Sequence, residues 1–254
     1  MKYLVTILFL LFTVPATATV DPVSWWKFDA GTGTSAADSG TGANTGTLQG
    51  SATWGTGNVG AYALSTDGAG GNYVTVGDPG SGNLDFGTSS FSFSLWFKTS
   101  DNTSVALLLN KRFSGSCGSG DEGYYFIMAS GGQFFASICG TATGAMDTDK
   151  TWTGKSDGAW HHAVVIVDRG NNLLKLYGDN VLIGSNTDIT GAGTVSNTTG
   201  LSIAGDAFGT AIFNGLIDDV RIYNRVVTVA EIAAMYNQTE SASARRAMSP
   251  MIFQ

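Results

Sequence analysis

The sequence has few charged residues, few prolines and few cysteines. Of its 254 residues, 13% are charged, four are proline and two are cysteine. The small charged fraction argues against a helical bundle with a surface of Glu, Lys and Arg, and the 43% of hydrophobic residues exclude intrinsic disorder. The chain also lacks a basic run before its C-terminal end, and its formal net charge is −7. Nucleic acid and anionic membranes are therefore excluded as expected partners.

Glycine and aromatic residues are abundant, with 35 Gly, 14 Phe, 8 Tyr and 6 Trp. This composition favours many short strands that are joined by tight turns. The acidic residues are uneven, because the sequence has 17 Asp and only 3 Glu. Asp is typical of turns and of sites for hard cations such as calcium.

The N-terminal stretch has the pattern of a secretory signal peptide. Lys2 supplies a positive charge, residues 4–14 form an apolar run, and residues 16–18 read Ala-Thr-Ala, an A-x-A cleavage site. We expect residues 1–18 to be a signal peptide and the protein to be secreted, extracellular or at the cell surface. The alternative is an uncleaved anchor, for which the apolar run is short. No membrane span is expected after cleavage.

The two cysteines are expected to pair. Cys117 lies in a Gly/Ser loop and Cys139 follows a second apolar segment beyond a hairpin turn at 130–133. In an exported protein, a disulfide that closes about 21 residues would stabilise the fold by about 3 kcal/mol in the chain-entropy picture. The alternative is two unpaired thiols.

Short runs rich in Val, Ile, Phe, Tyr and Trp alternate with Gly, Asn, Asp and Ser clusters. We predict strands at residues 24–28, 73–76, 91–98, 105–109, 124–128, 134–138, 161–168, 173–177, 201–204 and 216–223. No linker is long enough to divide these runs into two domains. The fold class predicted is all-β, a two-sheet antiparallel jelly-roll sandwich.

One short C-terminal helix is predicted to cover the sandwich. Thr228 and Glu231 form a capping box, and Ile232, Met235 and Tyr236 make one apolar stripe. After it, residues 238–254 show no periodicity and are predicted to be a flexible tail.

Blocks of residues that occur in a fixed order along the chain resemble laminin-G-like, concanavalin A-like lectin/glucanase jelly rolls, which are related to pentraxins and legume lectins. The blocks are residues 26–29, 31–33, 37–40, 54, 60–64, 72–74, 91–96, 158–164, 174–177, 213–225 and 230–232. The resemblance implies that residues 19–237 form a laminin-G-like jelly-roll domain. It also implies a non-catalytic module that binds glycans or proteins, although a fold alone does not define a function.

The resemblance also suggests a structural calcium ion. Related jelly rolls hold calcium at the rim where the first and last strands meet, and Asp29, Asp38 and Asp219 are the candidate ligands here. Asp219 is preferred because simple alternation would place Asp218 on the same face as Val220 and Ile222. In the alternative interpretation, Asp38 caps a turn, and Asp218 and Asp219 bind neighbouring arginines or backbone amides.

Catalytic residues are not expected. His161 and His162 point to opposite faces of a strand, so they cannot chelate one metal together, and we interpret both as structural. A glycan hydrolase needs two carboxylates across the sugar bond, and Glu122, Glu231 and Glu240 lie in separate segments.

The sequence therefore predicts a secreted, non-catalytic recognition module for carbohydrate or a cell-surface glycoconjugate, stabilised by calcium. Five aromatic residues in loops or at strand ends either stack on sugar rings or close the edge of the sandwich: Trp54, Phe113, Trp152, Phe208 and Phe213. For most of the five, closing the edge of the sandwich is the preferred interpretation, but the sequence does not say which of them remain free to bind a sugar. The alternative function is a structural or adhesion protein that contacts a cell-surface protein, and a glycan-active hydrolase comes third.

Overall fold

The computed structural model describes residues 21–113, 117, 120–141, 143–186, 188–206 and 208–238. The predicted signal peptide at 1–18 lies outside these residues, and so does the predicted tail at 238–254 apart from its first residue. The described residues form sixteen strands, one α-helix and one 3₁₀ turn.

The strands are short, as the glycine-rich sequence predicts. They are β1 Ser24–Trp26, β2 Ser35–Ala36, β3 Gly46–Leu48, β4 Thr53–Thr56, β5 Tyr62–Asp67, β6 Val74–Val76, β7 Phe91–Lys98, β8 Ala106–Lys111, β9 Gly123–Ala129, β10 Gln133–Gly140, β11 Thr143–Asp147, β12 Trp160–Asp168, β13 Leu173–Gly178, β14 Val181–Asn186, β15 Leu201–Ile203 and β16 Asn214–Tyr223. Each of the ten predicted runs coincides with one of these strands.

The strands form two antiparallel sheets. The first sheet has the order β14-β13-β12-β7-β16-β5-β4, with β1 also paired to β16. The second sheet has the order β11-β10-β9-β8-β15-β6-β3-β2. Neighbours such as β7 and β16 are far apart in sequence, so the chain crosses between the sheets repeatedly. The predicted all-β jelly-roll sandwich is confirmed.

The core lies between the sheets and contains residues of both. Strand β7 shows why the sequence builds it: Phe91, Phe93, Leu95 and Phe97 recur at every second position, and all four side chains are buried in this core. The ring of Phe97 reaches the second sheet, where its centroid lies 4.6 Å from that of Phe134 on β10.

The predicted helix forms at α1, Val229–Tyr236, and the capping box is confirmed. The Thr228 side chain accepts a hydrogen bond from the Glu231 backbone N–H, and the Glu231 carboxylate accepts one from the Thr228 N–H at 2.8 Å. Ile232 and Met235 are buried against Val164 and other residues on the outer face of the first sheet. The helix thus covers that sheet, as predicted.

A β-bulge in β16 breaks the alternation that the sequence suggests there. Asp219 has a positive φ of 50°, and the register with β7 shifts between Asp218 and Arg221. Asp218 therefore lies opposite Trp96 on the outer face of the sheet, whereas Val220 is buried in the core. The prediction that Asp218 shares a face with Val220 was wrong, because the extra residue of the bulge changes the side to which each side chain points.

Candidate functional site

A row of polar residues crosses the outer face of the second sheet. Successive pairings place in this row Asp147, Ser137, Tyr125, Asn110, Ser202, Thr75, Thr47 and Ser35, one from each of the eight strands. The central side chains of the row, from Ser137 to Ser202, are buried, whereas Asp147, Thr47 and Ser35 at its ends are exposed. The centre is buried because two chain segments turn over this face.

We name these the covering segments. The first follows β8 and includes Arg112, Phe113, Cys117 and Asp121, and the second follows β15 and includes residues 204–206 and 208–213. The Asn110 side chain donates to the Arg112 carbonyl at 3.0 Å, and the Ser202 hydroxyl donates to the Gly205 carbonyl at 2.8 Å. Both donors lie in the polar row, on the outer face of the second sheet. Their hydrogen bonds to the first residues of the covering segments show that each segment starts by turning over that face.

A disulfide fixes the first covering segment to the sheet. Cys117 is bonded to Cys139 of β10, with their Cα atoms 5.1 Å apart. Cys139 is buried beside Leu107 and Tyr125 in a small apolar cluster on the outer face. The predicted disulfide is confirmed, and its role is to hold the segment against this cluster.

Arg112 forms a second attachment in the same segment. Its Nη1 lies 3.1 Å from Asp121 Oδ2, and its guanidinium carbon lies 4.3 Å from the centre of the Tyr125 ring. Burial raises the pKa of Tyr125, so this ring stays a neutral partner for the guanidinium.

Two aromatic side chains project from the covering segments into solvent. Phe113 and Phe208 are each 53% exposed, and their rings meet edge to face with centroids 5.0 Å apart. We name Phe113 and Phe208 the aromatic pair. Exposed aromatic rings of this size are typical of contact surfaces, because burying them against a ligand removes apolar area from water and so favours binding.

The other three aromatic residues singled out from the sequence do not project in this way. Phe213 and Trp152 are buried and belong to the core. Trp54 packs against the core, and its indole N–H donates to the Gly33 carbonyl at 2.9 Å. Of the five candidates, these three close the sandwich, and the aromatic pair is available to a ligand.

Asp206 shapes the turn that presents Phe208. Its Oδ1 accepts from the N–H groups of Phe208 at 3.1 Å and Thr210 at 2.7 Å, and its Oδ2 accepts from the Thr210 hydroxyl. Gly209 has φ +67°, and a Cβ there would lie 3.0 Å from Gly71, whose N–H donates to the Gly209 carbonyl at 2.9 Å. This turn therefore requires glycine at position 209.

An open groove of about 570 Å³ lies where β7 ends and β16 begins. Polar groups line much of it, among them Lys98, Thr99, Asp101 and Asn214. The Thr99 hydroxyl donates to the Asn214 carbonyl at 2.6 Å, which joins the two walls.

Two of the predicted calcium ligands are occupied by backbone donors. Asp38 Oδ1 accepts from the N–H groups of Trp25 at 2.6 Å and Gly40 at 2.7 Å, and Oδ2 accepts from Asn44 at 2.7 Å. Asp29 Oδ1 accepts from Ala61 N–H at 2.7 Å. Asp38 is thus placed as a turn cap, and Asp29 ties the β4–β5 loop to the segment that follows β1.

The third predicted ligand, Asp219, is paired with a cation. Its Oδ1 accepts from the Trp25 indole N–H at 2.6 Å, and its Oδ2 lies 2.9 Å from Arg221 Nη2. The positive charge of the Arg221 guanidinium at this distance would repel a calcium ion bound to the same carboxylate. Among the described residues, no group of three or more His, Cys, Asp or Glu side chains could hold a metal ion. The described residues therefore do not bring Asp29, Asp38 and Asp219 together as one set of ligands, and calcium binding stays a prediction.

The two histidines lie on opposite faces of β12. His161 Nδ1 is 2.9 Å from Asp179, and Nε2 is 3.0 Å from Asp157. Burial lowers the pKa of His161, but the hydrogen bonds to both carboxylates outweigh burial and raise it overall. On the outer face, His162 packs against Trp96, and burial lowers its pKa to about 3.

The strand order and the covered outer face define a jelly-roll sandwich of the kind found in lectins and glucanases. The sequence model of the Laminin_G_3 family, described as the concanavalin A-like lectin/glucanases superfamily, matches residues 66–233, more than half of the chain. The chain belongs to this superfamily, and the resemblance drawn from the ordered sequence blocks is confirmed.

Several of the solved structures that this chain resembles are binding domains. The chain resembles the binding domain of Paraclostridial mosquitocidal protein 1, with 15% identity and a TM-score of 0.66 over 85% of this chain and 52% of that one. It resembles the binding domain of botulinum neurotoxin serotype G, with 13% identity and a TM-score of 0.65 over 85% of this chain and 50% of that one. The chain thus spans about half the length of these toxin domains.

A neighbour of similar size belongs to an enzyme. Domain 4 of AbnA, an extracellular GH43 arabinanase from Geobacillus stearothermophilus, was solved with arabinotriose. It shares 21% identity and a TM-score of 0.57 with this chain, over 85% of this chain and 98% of that domain. A search of curated proteins by sequence finds no match. In the described residues, no helix is both long enough and apolar enough to cross a membrane.

Proposed function

We propose that this protein is a secreted, non-catalytic recognition module that binds carbohydrate, or a cell-surface glycoconjugate, through the aromatic pair. The observation that carries the proposal is the exposure of Phe113 and Phe208 on the two covering segments. The jelly-roll fold supplies a rigid base for both segments, and the disulfide at Cys117 and the Asp206 turn reduce the ordering that binding would require.

The chemistry of the surface suits a sugar. A sugar ring has an apolar C–H face that packs on an aromatic ring, and hydroxyl groups at its edge that exchange hydrogen bonds with polar side chains. The aromatic pair offers the first kind of contact. Thr75, which is partly exposed in the row, and the exposed Thr47 and Ser35 beyond it offer the second.

The comparisons support a binding module. The AbnA domain was solved in complex with arabinotriose, and a botulinum neurotoxin serotype D ligand-binding domain, with 12% identity and a TM-score of 0.66, was solved with N-acetylneuraminic acid. Those ligands belong to those proteins. At identities this low the likeness concerns the fold, so the ligand class here rests on the aromatic pair.

Secretion is part of the proposal. A disulfide persists in oxidising compartments, and the sequence pattern at residues 1–18 is that of a secretory signal. Both features agree with a site of action outside the cell or on its surface.

Adhesion to another protein is the second candidate function. Val181 and Leu182, at the start of β14 on the edge of the first sheet, are 62% and 48% exposed. An exposed apolar edge strand can pair with a partner chain. A hydrolase comes third, because the adjacent carboxylates Asp218 and Asp219 are buried, where a polysaccharide does not reach them.

A glycan array followed by titration tests the proposal. We expect wild-type protein to bind a set of glycans, and Phe113→Ala combined with Phe208→Ala to weaken that binding at least about 10-fold, since each ring contact contributes about 1 kcal/mol. The matched control is Val181→Ala, which removes an exposed apolar side chain on the other sheet and should leave the affinity unchanged.

Two results would contradict the proposal. If the double variant binds the same glycans as tightly as wild type, the aromatic pair is not the site. If wild type binds no glycan but forms a stable complex with a protein, and Val181→Ala weakens that complex, adhesion is the function.

A further inference from the structure

The His161 side chain, near the start of β12, lies between two carboxylates. Its Nδ1 is 2.9 Å from Asp179 Oδ2, and its Nε2 is 3.0 Å from Asp157 Oδ1. Asp179 is in the turn between β13 and β14, and Asp157 is in the segment between β11 and β12. A neutral imidazole carries one N–H and can donate to only one of these oxygens, whereas the protonated ring donates to both. The geometry therefore requires the imidazolium form of His161.

The charges around the ring favour this form. Of the described residues, the two carboxylates and the ammonium group of Lys155 face the ring, and Lys155 Nζ is 3.2 Å from Asp179 Oδ2. The ring also contacts the uncharged aromatic rings of Phe97 on β7 and of Trp152. Burial alone would lower the pKa of His161, and the hydrogen bonds to both carboxylates raise it above 6.5 overall.

Asp157 belongs to a segment that leads to the open groove at the end of β7. We name residues 154–158 the clasp segment. Its last residue, Gly158, donates its N–H to the Thr99 carbonyl at 2.8 Å, and Thr99 lines that groove. The bond from His161 to Asp157 therefore holds the clasp segment close to one wall of the groove.

The two carboxylates differ in how firmly they are held. Asp179 has a side chain that is 25% exposed, and it also accepts from Lys155 Nζ at 3.2 Å and from the His162 N–H at 3.0 Å. The Asp157 side chain is 50% exposed, so water can replace a partner that it loses. When the ring loses one proton, we expect the remaining N–H to stay with Asp179. The lone pair on Nε2 then faces the Asp157 carboxylate, and two acceptors repel each other.

We propose that His161 is a pH-sensitive clasp, which as the imidazolium fastens the clasp segment to β12 and as the neutral imidazole releases Asp157. The pKa of His161 is higher in the folded protein than its usual 6.5, so the bond to Asp157 is fully present below about pH 6.5 and is lost as pH rises through the folded pKa. Its loss loosens the backbone bond between Gly158 and Thr99. The wall of the groove is therefore more mobile in alkaline than in mildly acidic solution.

NMR of the full wild-type chain tests both parts of the proposal. We expect both ring nitrogens of His161 to carry a proton at about pH 6. We expect amide exchange, corrected for the rate in an unstructured chain, to show that the protection of the Gly158 N–H falls above this pH. The fall should be about tenfold for each unit by which the pKa of His161 exceeds 6.5. His162 is the internal reference, because burial lowers its pKa to about 3.

Asp157→Asn is the matched variant, because the new amide can donate to a neutral imidazole and keep the clasp closed without the proton. We expect it to lower the pKa of His161 and to remove the fall in Gly158 protection. Asp149→Asn, at an exposed position of the same β11–β12 connection, is the control and should behave as wild type.

Three results would overturn the proposal. The first is a His161 ring with a single N–H at about pH 6 in wild type. The second is a protection of the Gly158 N–H that stays constant in wild type while His161 titrates. The third is a fall in protection that persists unchanged in Asp157→Asn. The first two measurements use wild type alone, so they do not depend on the folding of a variant.

Discussion

Asp218 has the most perturbed carboxyl group on the outer face of the first sheet. It is fully buried, its Oδ2 accepts from the N–H groups of Asn58 at 2.7 Å and Val59 at 2.9 Å, and its Oδ1 has no hydrogen-bond partner. Burial raises its pKa from 3.8 to about 7, although the backbone donors oppose this. At neutral pH this side chain is poised between its two protonation states.

Because the pKa of Asp218 is raised, we expect Asp218→Asn to increase the free energy of unfolding by an amount that depends on pH. Between about pH 4 and pH 7 the folded wild type holds a proton that the unfolded chain has lost, so the Asp218 contribution to stability falls as pH rises, by about 1.4 kcal/mol per pH unit. Asn cannot titrate. Chemical denaturation should therefore show the variant gaining stability over wild type from pH 4 to 7, with no further gain well above pH 7.

The control is Asp188→Asn, because hydrogen bonds from Thr190 lower the pKa of Asp188 and its titration lies below this range. A stability difference for Asp218→Asn that is flat from pH 4 to 7 would contradict the raised pKa. His162 has the opposite effect on stability. Its pKa is about 3 in the folded protein and 6.5 in the unfolded chain, so its contribution to the free energy of unfolding rises with pH between these two values. In wild type the two slopes offset each other, which is why the variant is needed.

At the scale of single residues, the sequence predicted the cysteine pair and the capping box, because both depend on residue types at short spacing. It could not separate Phe113 and Phe208 from Trp152 and Phe213, since burial depends on the path of the chain over the second sheet.

At the scale of elements, the first covering segment depends on the disulfide. Cys117→Ser combined with Cys139→Ser should lower the free energy of unfolding by about 3 kcal/mol, because the loop between positions 117 and 139 is no longer closed in the unfolded chain. The same variant should also bind glycan more weakly, since Phe113 is then held by fewer contacts.

Denaturation and glycan titration of this double variant give both readouts. Wild type treated with a mild reductant is the parallel sample, and the two should agree. If both the free energy of unfolding and the glycan affinity are unchanged, the disulfide does not hold the first covering segment in place. The glycan site would then lie away from Phe113.

The strands that the sequence predicted are those with apolar residues at alternating positions, and β7 matches its predicted bounds of 91–98. Six strands were missed: β2, β3, β4, β5, β11 and β14. These are short or rich in Gly, Ser, Thr and Asn, and they lie toward the edges of the sheets. Their conformation is set by pairing with a neighbour rather than by their own side chains, so local patterns do not indicate them.

At the scale of the whole molecule, one core joins the two sheets. Its aromatic rings link strands that are remote in sequence, as where Phe97 of β7 meets Phe126 and Phe134 of the second sheet. The overall architecture could be predicted because it needs only enough alternating apolar strands and the ordered family blocks. The outer faces could not, because the covering segments and the bulge at Asp219 depend on tertiary contacts.

A shared core predicts that the sheets unfold together. Phe97→Ala removes a buried ring at the centre of this core and should lower the free energy of unfolding by about 3–5 kcal/mol. Phe113→Ala removes a ring that is half in solvent and should change it by no more than about 0.5 kcal/mol. Calorimetry of both variants should give one transition, with equal calorimetric and van't Hoff enthalpies. Two separate transitions in Phe97→Ala would mean that each sheet is stable without the other, and that the core does not couple the faces on which the covering segments and the helix lie.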